Sequence, residues 1–166
     1  MVTVYIGLGS NLGNRKNNIN NALENLARLP DTILLKTSSL YNSSAIGPAQ
    51  RDYINCVARI TTSQPPQKLL DNLHEIERRM GRKKNRRWGP RLIDLDIIFY
   101  GRRIISGGNL AVPHREAARR RFVIEPMSEI APGFVHPVIR KTMRTLRNNL
   151  RLTAKGQKVT IIPWKK

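Results

Sequence analysis

The chain of 166 residues holds one cysteine, Cys56, set between apolar neighbours. A disulfide within the chain is therefore excluded, and the thiol reads as a small buried hydrophobe without redox chemistry. There is no apolar run long enough to cross a bilayer and no charged leader ahead of the first strand-like segment, so a cytoplasmic protein with no membrane role is expected. No Gly-Lys-Ser/Thr marks a P-loop. Acidic residues are scarce: 11 Asp and Glu stand against 30 Lys and Arg, a formal net charge of +19. That excess attracts phosphate-rich partners, whether nucleotides, RNA, DNA or an acidic membrane face, and does not choose among them. The length suits one domain, over residues 1–166, with a real core.

Against this background residues 86–100, Arg-Arg-Trp-Gly-Pro-Arg-Leu-Ile-Asp-Leu-Asp-Ile-Ile-Phe-Tyr, stand out. From Leu92 the run is large or β-branched, as a buried strand requires, yet Asp94 and Asp96 interrupt it at a spacing of two. Strand alternation places Ile93, Leu95, Ile97 and Phe99 on one face and both aspartates on the other. Paired carboxylates repel unless cations neutralise them. Hard oxygen ligands without a nearby Cys or His cluster suit Mg²⁺ better than zinc. The arginines and indole just before them suit a polyanion that carries an aromatic or sugar part.

Taken in order, residues 2–8 read as a strand, and Gly9 to Asn14 as a glycine-rich turn that is better explained as a tight connection than as a phosphate site. Ile19, Ala22, Leu23 and Leu26 recur at helical spacing, with Asn14 as N-cap and Pro30 as stop. Residues 32–41 and 53–62 read as strands flanking a long polar loop. Pro65-Pro66 opens a helix with Leu69, Leu70, Leu73, Ile76 and Met80 on one stripe and Gly81 at its end. A cationic loop, 82–91, leads into the aspartate strand. The order β-α-β-β-α-β makes an antiparallel sheet with two helices on one face, a ferredoxin-like α+β core. Residues 101–109 read as a hairpin extension. The basic segment 115–121 adjoins the strand-forming run Phe122-Val123-Ile124. Residues 138–150 read as a basic amphipathic helix, and 159–162 as an edge strand.

Six separated motifs coincide: Gly9-Ser10-Asn11-Leu12-Gly13, Tyr53-Ile54-Asn55, Arg87-Trp88-Gly89-Pro90-Arg91, Asp94-Leu95-Asp96, Val112-Pro113-His114, and Arg120 two residues before Phe122. Over residues 1–137 the sequence resembles the hydroxymethyl-dihydropterin pyrophosphokinases of folate biosynthesis. The resemblance implies transfer of the β,γ-pyrophosphoryl unit of ATP to the pterin hydroxymethyl group, leaving AMP, with two Mg²⁺ ions held by Asp94 and Asp96. It implies catalytic roles for Arg82, Arg91, Asp94, Asp96 and Arg120. ATP contacts are implied for His74, Glu77, Arg82, Trp88, Arg91, Ile97, His114 and Arg115. The pterin falls to Ser43, Ser44, Ile46, Tyr53, Asn55, Asp94 and Phe122, with Tyr53 and Phe122 sandwiching the ring and Asn55 reading its edge.

The chain departs from the family pattern at Ser43-Ser44-Ala45, where Thr-Pro-Pro is common, and at Asn109, Arg115 and Ala118, where arginine, tyrosine and lysine are common; Arg115 or Arg119 can compensate. The basic extension 138–166 has no catalytic counterpart. A monomer without specific nucleic-acid binding is expected. The rival class, an RNA-binding module on the same fold, calls for RNP-type aromatic motifs that are missing and has no use for Asp94 and Asp96.

Overall fold

The computed structural model describes residues 1–45, 49–81 and 89–162. Among the described residues, strand Val2–Ser10 (β1) lies inside a six-stranded sheet in which every pairing is antiparallel. Helix Arg15–Ala27 (α1) follows, then strands Thr32–Thr37 (β2), Leu40–Ser43 (β3) and Tyr53–Thr62 (β4), and helix Pro66–Arg79 (α2). Strand Asp94–Tyr100 (β5) returns beside β1, giving the order β5-β1-β4 with β2 and β3 successively along the far side of β4. This is the expected ferredoxin-like order.

The first sheet face is sealed by α1 and α2. Val4, Ile6 and Leu8 alternate onto it and bury against Ile19, Ala22 and Leu26 of α1 and Leu69, Leu73 and Ile76 of α2. Helix α1 starts where Asn14 accepts from the Asn17 N–H at 3.2 Å. Helix α2 begins with a proline in its first turn and ends beside Gly81, whose φ of 92° is open to glycine at little cost.

The second face is half covered. A hairpin, Ile105–Gly107 (β6) with Leu110–Val112 (β7), is followed by one 3₁₀ turn at Ala117–Arg119 and by helices Arg121–Ile130 (α3) and Met143–Thr153 (α4). Ile124, Met127, Ile130, Met143 and Leu146 of these helices pack on Tyr5, Val57, Ile98 and Phe99. Phe134 lies with its ring centroid 4.8 Å from that of Phe99. Strand Val159–Ile162 (β8) pairs with β3 and extends the sheet. The extension after residue 138 thus completes a second core.

Several expectations need correction. Residues 32–41 form two strands, because the Ser38 N–H donates to the Val57 carbonyl and its Oγ accepts from the Val57 N–H, a local insertion that shifts the register. In β5, Ile6 opposes Ile97 while Tyr5 opposes Phe99, so Ile98 is an extra, bulged residue. Phe99 therefore faces the second core, away from Leu95 and Ile97. The run Phe122-Val123-Ile124 opens α3 and is not a strand. Helix α4 starts at Met143, where Thr142 supplies the cap; upstream, His136 Nδ1 accepts from the Val138 and Ile139 N–H groups, and Arg140 takes φ 62°. The hairpin spans 105–112, later than expected.

Candidate active site

The bare part of the second face forms a cavity of about 820 Å³. Its floor is main chain: Gly7 and Gly9 of β1 lie on the Tyr5 side, where a Cβ would stand 3.2 Å from Ile98 Cδ1 and 3.1 Å from Asn55 Oδ1 respectively. Glycine here admits the neighbouring side chains and keeps the floor low.

One wall belongs to β5. Asp94 and Asp96 both line the cavity, and the Arg91 guanidinium is ion-paired with Asp94. Asp96 reaches solvent through the open mouth. The protein crowded around it and the charge of Asp94 nevertheless raise its pKa, and His114, Arg91 and Arg120 pull it back only in part. The strand is held firmly. At its outer edge Glu77 Oε1 accepts from the Leu95 N–H at 2.8 Å, between the aspartates, and the His114 N–H donates to the Ile98 carbonyl at 3.0 Å.

Arg91 is fixed through its backbone. Asn11, almost fully buried, accepts from the Arg91 N–H at 2.7 Å, while the Asn11 N–H donates to the Arg91 carbonyl at 3.1 Å. The Asn11 amide also donates to Gln50 Oε1 and the Arg51 carbonyl. One side chain thereby joins the first turn, the loop after β3 and the approach to β5.

The opposite walls carry aromatic and amide groups. Tyr53 and Asn55 rise from β4, and the Asn55 amide donates to Ser43 Oγ at 2.8 Å. Burial and then the charge of Asp94 raise the Tyr53 phenol, with Arg91 opposing. Phe122, in the first turn of α3, faces the cavity with the Arg120 guanidinium 5.7 Å from its ring centre. The cavity thus presents paired carboxylates, cationic donors, and aromatic and amide side chains together.

The family model for 7,8-dihydro-6-hydroxymethylpterin-pyrophosphokinase (HPPK) matches residues 5–132. The chain belongs to the HPPK family. Curated relatives agree: the 2-amino-4-hydroxy-6-hydroxymethyldihydropteridine pyrophosphokinase of Haemophilus influenzae is 47% identical over 138 residues, 82% of this chain and 86% of its own. That of Aquifex aeolicus is 39% identical over 148 residues, 89% of this chain and 91% of its own. Among solved structures, a Plasmodium falciparum HPPK-DHPS chain with pteroate superposes with TM-score 0.76 at 14% identity, over 93% of this chain and 45% of that one. This chain spans less than half of that fused protein, and the likeness establishes the shared fold. As an HPPK, the protein transfers pyrophosphate from ATP to 6-hydroxymethyl-7,8-dihydropterin in folate biosynthesis.

Of the residues singled out in the sequence, this HPPK brings Ser43, Ser44, Tyr53, Asn55, Arg91, Asp94, Asp96, Ile97, His114, Arg115, Arg120 and Phe122 around one cavity. It does not bring His74 or Glu77 there: His74 is exposed on α2, and Glu77 is turned inward onto β5. The Ile97 side chain belongs to the first core. Ile46, Arg82 and Trp88 lie outside the described residues. Asn11 and Gln50 were not singled out for the site; an asparagine buried inside a turn is a signal only once its partners are known.

Proposed function

We propose that Asp94 and Asp96 hold two Mg²⁺ ions in this HPPK, that Arg91, His114 and Arg120 bind the phosphates of ATP, and that the pterin lies between Tyr53 and Phe122. The observation that supports the reading is the meeting of a carboxylate pair, cationic donors, and aromatic and amide side chains in one cavity. The donor set fits Mg²⁺. Asp94 and Asp96 are hard oxygen ligands two residues apart, and among the described residues no cluster of three or more His, Cys, Asp or Glu gathers. Such a pair leaves coordination positions to phosphate oxygens and water, as Mg²⁺ prefers. When bound, the ions neutralise charge on the transferring phosphates and lower the pKa of the attacking hydroxyl.

The protein's share is placement. Asn55 can donate to and accept from the pterin edge, with Ser43 fixing the plane of its amide. Tyr53 and Phe122 offer ring faces to a flat heterocycle. Arg91, anchored by Asn11, and Arg120, resting over Phe122, supply guanidinium donors where negative charge shifts toward the departing AMP. The pterin hydroxyl oxygen bonds to the β-phosphorus of ATP as the bond from that phosphorus to the α,β-bridging oxygen breaks, and the hydroxyl proton passes to solvent water, giving AMP and the pterin diphosphate. The reaction needs alignment more than covalent help, so a side-chain base is dispensable.

The test is an assay with ATP, Mg²⁺ and the hydroxymethyl-dihydropterin that resolves AMP from ADP, on the parent and on Asp94→Ala and Asp96→Ala. AMP is the expected product, and each variant should lose roughly a thousandfold in rate while keeping its circular dichroism spectrum. Near-parental turnover in either variant overturns the metal assignment.

A further inference from the structure

The Arg120 N–H donates to the Ala117 carbonyl at 3.2 Å and its carbonyl accepts from the Val123 and Ile124 N–H groups at 3.0 Å, but the polar groups on either side of it, the Arg119 carbonyl and the Arg121 N–H, are met by a distant residue. Arg120 sits in extended conformation, φ −110° and ψ 112°, between the 3₁₀ turn and α3, and its side chain makes no capping hydrogen bond to the helix it precedes. The N-terminal N–H groups of a helix need acceptors. The acceptor is supplied from 36 residues away: Arg121 N–H donates to Gln157 Oε1 at 2.8 Å. On the other side of Arg120, Gln157 Nε2 donates to the Arg119 carbonyl at 2.9 Å. A third bond, from Arg121 Nη1 to the Gln157 carbonyl at 2.9 Å, closes the bracket.

Gln157 is itself anchored. Its N–H donates to the Ala154 carbonyl at the end of α4, and the next residues join the sheet, where Val159 pairs with Ser43. The Lys158 carbonyl accepts from the Ser44 N–H at 3.3 Å. Residues 154–159 therefore form a strap that grips the Arg119–Arg121 backbone at one wall of the cavity and Ser43-Ser44 at another. Gln157 does not line the cavity, and it lies beyond residues 5–132 covered by the family model.

We infer that Gln157 is a positioning residue for the reaction, setting the backbone on both sides of Arg120, so that the extension after residue 138 is part of the catalytic apparatus. The inference rests on the assignment of Arg120 to the transferring phosphates. A small misplacement of such a group is costly in rate because transition-state contacts depend steeply on geometry. Substrate affinity depends less on it, since Gln157 touches neither ATP nor pterin in this reading.

The experiment is a double-mutant cycle in the full chain, with Gln157→Ala, Arg120→Ala and their combination, measuring kcat and both KM values. Gln157→Ala should lower kcat roughly tenfold with each KM within about twofold, and should cost almost nothing further once Arg120 is alanine. Gln157→Glu keeps the acceptor for Arg121 N–H but loses the donor to Arg119, and its kcat should fall between alanine and parent. Should Gln157→Ala not fold, Gln157→Glu takes its place in the cycle. An unchanged kcat in Gln157→Ala overturns the inference. So does an equal loss with and without Arg120, which marks a general structural role, or a Glu variant no better than Ala. If Arg120→Ala alone leaves kcat intact, the phosphate assignment itself fails, an outcome separate from the others.

Discussion

Asp96 is held where its charge is unfavourable to the free protein. Crowding by its surroundings and the proximity of Asp94 raise its pKa, so the folded chain binds a proton at this group more readily than the unfolded chain does. The stability this contributes is fully present below the ordinary carboxylate pKa of about 3.9, and is lost as pH rises through the raised folded value. Above that raised value the ionised Asp96 therefore opposes folding of the ligand-free chain. The Asp96→Asn variant should melt above the parent at pH 7 while losing pyrophosphoryl transfer, and the gap should close as pH falls toward about 4. Thermal scans across pH without ATP or metal check this; an Asn variant that melts below the parent at pH 7 contradicts it. Asn11 and Glu77 show another way to serve a site. Neither belongs to the cavity wall through its own charge or ring, yet one sets the Arg91 peptide and the other pins Leu95 between the aspartates.

At the level of elements, α3 is joined to α4 by Glu125, which is only 5% exposed and bonds Arg121 Nη2 at 2.9 Å and Arg151 Nη2 at 2.6 Å. Burial pushes the Glu125 carboxyl up, but the hydrogen bonds and charges of Arg151 and Arg121 outweigh it and hold its pKa below the usual range. Its contribution is thus present above the ordinary glutamate pKa of about 4.3 and is lost as pH falls through the depressed folded value. Glu125→Ala leaves the largely buried Arg121 guanidinium with the Gln157 carbonyl but without this carboxylate, and should cost roughly 3 kcal/mol at pH 7, less at pH 3, by urea denaturation. A cost below about 0.5 kcal/mol at pH 7 means that water or another acceptor replaces the carboxylate. The same elements mark how far the sequence alone carries. Long periodic stretches, such as Leu69 to Met80 and 53–62, declare their type because every turn or every second residue repeats the instruction. Ser38 and Ile98 do not, since a strand break and a bulge are settled by what the partner strand offers. The run Phe122-Val123-Ile124 is too short for its own period to decide, and becomes a helix because Ile124, Met127 and Ile130 find the second core and Gln157 satisfies the N-terminus. The aspartate pair and the cationic loop before it were legible from the residues themselves, while Tyr53, Asn55, His114 and Phe122 were legible only through the family resemblance; the supports were not, because Asn11, Glu77 and Gln157 act on peptides distant in sequence.

For the molecule as a whole, the charge of +19 is a standing self-repulsion. Raising the salt from about 0.02 M to about 0.15 M shortens the screening length to about 8 Å, and should stabilise the ligand-free protein. A gain of about 1 kcal/mol corresponds to a rise of roughly 2–4 °C in Tm for a chain of this size. Differential scanning calorimetry in chloride salts checks it, and a flat or falling Tm shows that the surface charges are compensated pairwise. ATP, carrying several negative charges, should bind more slowly as the salt rises for the same reason.

The pairing of β8 with β3 has a consequence in time. During synthesis the sheet's first five strands, α1 and α2 emerge well before residues 157–162, and until that last segment follows them β3 keeps an unpaired edge. A nascent chain halted short of residue 157 has its aspartates but no strap between Ser43-Ser44 and Arg119–Arg121. The order of translation therefore adds the strap only after every residue that lines the pocket has been made.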